Sequence, residues 1–182
     1  GKVSNQISAG YLRSDGFSRN SAGGLNSDYQ TVKASYHGTF KSRAADLDWH
    51  AGLSARDFGS NTFYSAKFDD QFEHTFKTFA SVQAQTRGFV KVKPALYWNR
   101  GEDRFELVRG QPDVVKYNYH RTSVLGANVN AWIETVAGKT ALGFEVRHED
   151  IVSTNLGEDL DNPKKVHGAD AQYLKGLNRT NY

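Results

Sequence analysis

Val32-Lys33-Ala34-Ser35-Tyr36-His37-Gly38-Thr39-Phe40 alternates apolar and polar residues without a break. An extended strand turns successive side chains to opposite faces. Val32, Ala34, Tyr36, Gly38 and Phe40 therefore build one apolar face. Lys33, Ser35, His37 and Thr39 build a wet one. The same period recurs along the chain and predicts strands over about residues 2–13, 29–41, 46–56, 72–86, 89–99, 117–134 and 139–150. In the third, Leu47, Trp49, Ala51, Leu53 and Ala55 alternate with Asp48, His50, Gly52, Ser54 and Arg56. No stretch shows helical periodicity.

The connections carry a second rhythm. Residues 14–28, 57–71 and 100–116 are long and polar, as is the tract from Ser153 onward. Residues 42–45, 87–88 and 136–138 are short. In an antiparallel up-and-down meander, odd and even connections lie at opposite ends of the sheet. One end is then all tight turns and the other all long loops. Soluble meanders have no general reason to keep that asymmetry, whereas transmembrane barrels do. Strands of 11 or more residues also exceed the usual five or six of globular sheets and suit a tilted bilayer crossing. The expectation is an all-β chain forming part of a transmembrane β-barrel.

Composition sets further bounds. Among 182 residues the net charge is only +3, with acids and bases interspersed, which gives no electrostatic case for nucleic acid. Cysteine is absent, so disulfides, cysteine-bound metals and thiol catalysis are excluded. Methionine is absent too, even at position 1, and no signal peptide is visible. A processed chain or an internal segment is the expectation. No apolar run approaches the roughly 20 residues of a membrane helix. The polarity fits a barrel, where every second strand residue faces a wet lumen. Tyr97, Trp98, Tyr117, Tyr119 and Phe72 fall near the long-loop end, and Phe40, Phe89 and Trp132 near the other, as two aromatic belts would. Pro94 lacks an N–H, a gap that a bulge in its strand would accommodate.

Candidate chemistry is sparse. His37, His50, His74, His120, His148 and His167 show no metal-ligand spacing. His148-Glu149-Asp150 clusters donors that a strand would send to opposite faces. Glu158, Asp159, Asp161 and Asp170 form an oxygen-rich loop without EF-hand spacing, and Asp69-Asp70 invites the same thought. No nucleophile triad, phosphate-cradling glycine loop or paired-carboxylate motif stands out, so neither catalysis nor a cofactor is expected. Lys33, Lys77, Lys91, Lys93, Glu145 and Arg147 read as a polar channel wall.

Asp57-Phe58-Gly59-Ser60-Asn61-Thr62-Phe63-Tyr64, followed by Asp69-Asp70-Gln71-Phe72-Glu73, resembles an external loop and strand of TonB-dependent outer-membrane receptors. So do Tyr97-Trp98-Asn99-Arg100 with Asp103-Arg104-Phe105-Glu106-Leu107, and Asn118-Tyr119-His120-Arg121-Thr122 leading to Gly126-Ala127-Asn128. The likeness is to Bacteroidetes-type receptors of the cobalamin-receptor (BtuB-like) group. It implies a 22-stranded barrel with an N-terminal plug, in the outer membrane of a Gram-negative bacterium. Residues 1–182 would then be a partial barrel domain of about seven strands, without the plug. The implied partners are outer-membrane lipid, the remaining barrel and plug, TonB through the missing N-terminal part, and a small nutrient such as cobalamin or an iron chelate (a siderophore complex). Asn61, Phe63, Tyr64, Arg104 and Phe105 are the candidate ligand-contacting loop residues. The alternatives are a soluble β-sheet ligand- or glycan-binding module and a lipocalin-like closed barrel.

Overall fold

The computed structural model describes residues 1–16, 26–111, 113, 115 and 117–154. They form one seven-stranded antiparallel sheet in sequence order, β1 (Lys2–Ser14), β2 (Tyr29–Lys41), β3 (Ala45–Asn61), β4 (Gln71–Thr86), β5 (Lys91–Glu106), β6 (Asn118–Thr135) and β7 (Gly138–Ser153). The sheet is open, with β1 and β7 at its edges. The chain is an all-β meander, as its alternation predicts.

The loop asymmetry follows the expected pattern. Residues 15–28, 62–70 and 107–117 connect strands at one end, and 42–44, 87–90 and 136–137 at the other. The first tight turn is organised by Ser42. Its Oγ donates to the Ala45 carbonyl at 2.7 Å and accepts the Ala45 N–H at 3.1 Å. The second is longer than the sequence suggests. Phe89 and Val90 lie in the turn, exposed, rather than in β5. There Thr86 Oγ1 accepts the Val92 N–H at 2.9 Å, closing the turn through a side chain.

Three strands run on into segments that read as loop. β3 continues to Asn61, β5 to Glu106 and β7 to Ser153. Charges end the apolar alternation there, but they pair along and across the strands. On β5, Arg104 Nε lies 3.0 Å from Glu106, and Arg100 bonds Glu102 at 2.7 Å. Asp57, His74 and Arg104 occupy one register row across β3, β4 and β5, and His74 Nδ1 contacts the Asp57 carboxylate.

Register assigns every strand residue to a face. Val3, Ile7, Ala9 and Tyr11 of β1 lie across from Phe40, Tyr36, Ala34 and Val32 of β2. The same face collects Leu47, Trp49, Ala51 and Leu53, then Ala84, Val82 and Ala80. Leu96 and Trp98, Leu125 to Ala131 in steps of two, and Leu142, Phe144 and Val146 complete it. Between Val3 and Ile7, the polar Asn5 accepts a hydrogen bond from the Tyr36 hydroxyl at 2.8 Å. Trp49 lies over Gly38, where no Cβ has room.

This apolar face is the exposed one. Ile7 is 80% and Leu142 79% exposed, and on β2 Val32, Ala34, Tyr36 and Phe40 are exposed while Ser35, His37 and Thr39 are half-buried. Among the described residues, Phe72 (8%) and Val152 (7%) are the buried hydrophobic side chains. The usual inside-out sorting of a water-soluble domain is reversed.

Pro94 is accommodated without a bulge in β5. The β4–β5 ladder instead stops at Gln83–Ala95, one residue short of Pro94, which stays in register with Val129 of β6. The missing N–H falls where β4 and β5 have parted. The sheet's one register shift among the described residues lies in β3, between Gly59 and Asn61, and Asn61 adopts a left-handed φ of 60°. The aromatic belts are also thinner than composition implies. Tyr97 and Trp132 lie on the polar face. The Tyr97 ring covers Gly126, and its hydroxyl bonds Glu145 at 2.5 Å. Trp98 is on the apolar face and donates Nε1–H to Ser123 at 3.1 Å.

Candidate functional site

The long-loop end is tied together by side-chain hydrogen bonds. Asn26 ties two loops to it. Its Oδ1 accepts the Asn61 N–H at 3.1 Å, and its Nδ2 donates to Asp70 Oδ1 at 2.8 Å and to the Gln71 carbonyl at 3.1 Å. Gln71 is fully buried, and both its amide hydrogens and its amide oxygen are engaged. It donates to the carbonyls of Ser65 and Phe68, both at 2.7 Å, and accepts the Tyr64 N–H at 2.9 Å. A buried amide left unpaired would be costly, so these bonds fix the course of residues 62–70. Arg109 brings in the third loop. It forks onto Asp28 at 2.8 and 3.1 Å, lies 4.2 Å from the Phe72 ring centroid, and donates its backbone N–H to the Asp70 carbonyl. The hydrogen bond to Asp28 raises the guanidinium pKa above its ordinary value, so the fork stays charged.

On this platform stands an aromatic cluster. Phe63, Tyr64 and Phe105 meet edge to face, with centroids 4.8 Å apart for the first pair and 4.6 Å for the second. Phe63 remains 80% exposed. Burial, and after it a hydrogen bond to Glu73, raises the Tyr64 phenol pKa. Glu73 lies on the polar face directly across from Phe105, so the cluster crowns that face.

Below the cluster the polar face holds a depression of about 520 Å³, within the volume range of small-ligand sites. Gly10, Leu12, Tyr29, Thr31, Lys33, Ser54, Arg56, Thr75 and Lys77 line it. Lys33, Ser54 and Lys77 are direct neighbours across β2, β3 and β4. Arg56 is one step further toward the loops on the same face, 4.5 Å from the Phe58 ring centroid. Nearer the short turns, His37 faces His50, with ring centroids 5.5 Å apart.

The structure brings together three of the five residues suggested by resemblance: Phe63, Tyr64 and Phe105. Asn61 is buried at 8% and serves the end of β3. Arg104 lies on the opposite face from Phe105, paired with Glu106 and 5.9 Å from the Tyr117 ring centroid. Asp70 holds Asn26 through one carboxylate oxygen and the Arg109 N–H through its backbone carbonyl. Among the described residues no three His, Asp or Glu side chains group into a metal site. Glu158, Asp159, Asp161, Asp170 and His167 lie outside the described residues. The sequence reading took Lys33 and Lys77 as generic channel wall and missed their convergence with Arg56. Alternation puts all three on one face, but only cross-strand register makes them neighbours.

Comparisons with protein-family models, curated proteins and solved structures found no match to the chain.

Proposed function

We propose that the chain is part of the barrel wall of a Gram-negative outer-membrane receptor that admits a scarce nutrient, cobalamin or an iron chelate, with energy relayed through TonB. The observation that carries this reading is the reversed burial. Every strand carries exposed large hydrophobic side chains on the apolar face, among them Ile7, Tyr36, Leu53, Val82, Leu96, Val129 and Leu142. In water such a face is an aggregation hazard; against acyl chains it is satisfied. On β3 it runs from Leu47 to Ala55, about 20 Å of height for a tilted strand, close to the apolar band of a membrane barrel. Beyond it the strands continue into paired charges and long loops, as they would on leaving the hydrocarbon.

The remaining strands and the plug are to be supplied by the rest of a 22-stranded receptor. The free edges of β1 and β7 are where those strands would pair. A soluble ligand- or glycan-binding module would need a core, and the two buried hydrophobic side chains among the described residues do not make one. The test is reconstitution of the receptor into liposomes of outer-membrane lipid, followed by protease mapping. Cleavage is expected in residues 62–70 and 107–117 from one side, with the β-strands protected. Cleavage within β3 and β4 at the rate of the loops would defeat the proposal. Titration of the intact receptor with cobalamin and with ferric chelates would identify the nutrient.

A further inference from the structure

We infer that the depression between β1 and β4 is a binding site for the anionic group, phosphate or carboxylate, of a small ligand with a flat apolar body. Lys33, Arg56 and Lys77 supply the cations. Lys33 and Lys77 flank Ser54 in one register row, so their backbones stand about 10 Å apart at the normal strand spacing. Arg56 is two residues from Ser54 on the same strand and face. Three long cationic side chains thus reach over one small area.

Three further observations point to a ligand. None of the three cations forms an ion pair with a carboxylate of the described residues; Lys67 and Lys93, among others, share that trait but do not line the depression. Gly10 sits in the middle of β1 beside Lys33, and a Cβ there would meet nothing within 4 Å. A strand-interior glycine weakens its strand, and a common reason for one is close approach of another group. Here it keeps the floor of the depression clear. Finally, Tyr29 and Phe58 border the cations, and the Phe58 ring holds the Arg56 guanidinium against its face. That leaves the planar fork free to meet an anion two oxygens at a time. Cations below and rings above select a ligand with an acidic group joined to an aromatic or otherwise flat body.

The inference rests on the receptor reading for the role of that ligand as nutrient, and the experiment separates the two. The full chain, folded in detergent micelles, is titrated with phenyl phosphate by calorimetry at low salt. Saturable binding is expected. It should weaken by about tenfold or more in R56Q and in the double variant K33Q/K77Q, the scale of a lost charge-assisted hydrogen bond. K93Q, on the same face near the short turns, should bind as the parent does. Phenol should not compete. Far-ultraviolet circular dichroism checks that each variant keeps its β content. Non-saturable binding by the parent, or unchanged affinity in both Arg56 and Lys33/Lys77 variants, would overturn the site. If phenyl phosphate binds as expected while the strands fail to protect in liposomes, the site stands and the receptor reading falls.

Discussion

Asp28 and Arg109 meet 81 residues apart in sequence through three hydrogen bonds between one carboxylate and one guanidinium, the shortest 2.8 Å. The pair joins the end of the first long loop to the start of the third. It closes over β4, whose first turnless residues Gln71 and Phe72 are buried beneath it. The long-loop end is therefore a braced platform whose parts depend on one another.

Arg109→Ala should loosen that platform without unfolding the sheet. Both partners are about a third exposed, so solvent screening limits the ion pair, and the Phe72 contact adds a little. A local loss of about 1–2 kcal/mol is expected. Hydrogen exchange should accelerate at Gly59, Asn61 and Arg109 while β6 and β7 stay protected. Arg109→Lys should recover only part of the protection, because a point charge cannot fork onto Asp28. Uniform acceleration over all strands would contradict a local brace.

Gln71 is the more sensitive position. Its side chain makes three hydrogen bonds to loop backbone from a fully buried site. Gln71→Ala leaves the carbonyls of Ser65 and Phe68 and the Tyr64 N–H without their partner, at about 2–3 kcal/mol. Residues 62–70 should become the fastest site of proteolysis, and the contacts of Phe63 and Tyr64 should be lost. A loop that stays as resistant as the parent would mean that Asn26 alone holds it.

Alternation made the strands and their faces legible, because a period of two depends only on neighbours in sequence. Val32 to Phe40 specifies its faces without any partner. The ends of β3, β5 and β7 were not legible in this way. Arg100, Glu102, Arg104 and Glu106 share one face of β5, yet their charges mimic a loop; alternating sign at every second residue was the available signal. The site was half legible. Phe63 and Tyr64 are adjacent and aromatic, but their meeting with Phe105 depends on β3–β4–β5 register. The Lys33–Ser54–Lys77 row depends on register alone, as does the accommodation of Pro94.

Substitution by arginine separates the two faces. Leu53, Val82, Leu96 and Val129 lie on the apolar face, Ser81 and Asn128 on the polar one. On the proposed membrane reading, arginine on the apolar set should cost about 2–4 kcal/mol near the bilayer midplane. Ser81→Arg and Asn128→Arg should be close to neutral. Unfolding in urea from lipid vesicles would measure both sets. Equal losses would indicate a sheet covered on both sides.

The Tyr64 phenol gives a pH signature. Its pKa is raised by burial and by the hydrogen bond to Glu73, so the folded loop favours the neutral form. The resulting stability is complete below the ordinary tyrosine pKa of about 10 and is lost as pH rises through the higher folded value. Ultraviolet difference spectra between the parent and Tyr64→Phe should isolate one phenol titrating above the ordinary value. Loop proteolysis should quicken over the same alkaline window in the parent only. A normal or lowered titration would show that Tyr64 stands free of Glu73.

The 182-residue chain by itself should not persist as a monomer in plain buffer. Its edge strands, Lys2–Ser14 and Gly138–Ser153, present unpaired N–H and C=O groups. The exposed side chains Val3, Ile7 and Tyr11 on one edge and Leu142, Phe144 and Val146 on the other add apolar surface beside them. Both features template association. Light scattering should show large particles without detergent, and micelles should disperse them while β-sheet circular dichroism is kept. Adding charge at the edges, with Ile7→Lys and Phe144→Lys together, should slow association without abolishing it, because the apolar face between the edges remains. A monodisperse monomer in buffer, folded and free of detergent, would show that something other than lipid or partner strands covers that face, and the membrane reading would fall with it.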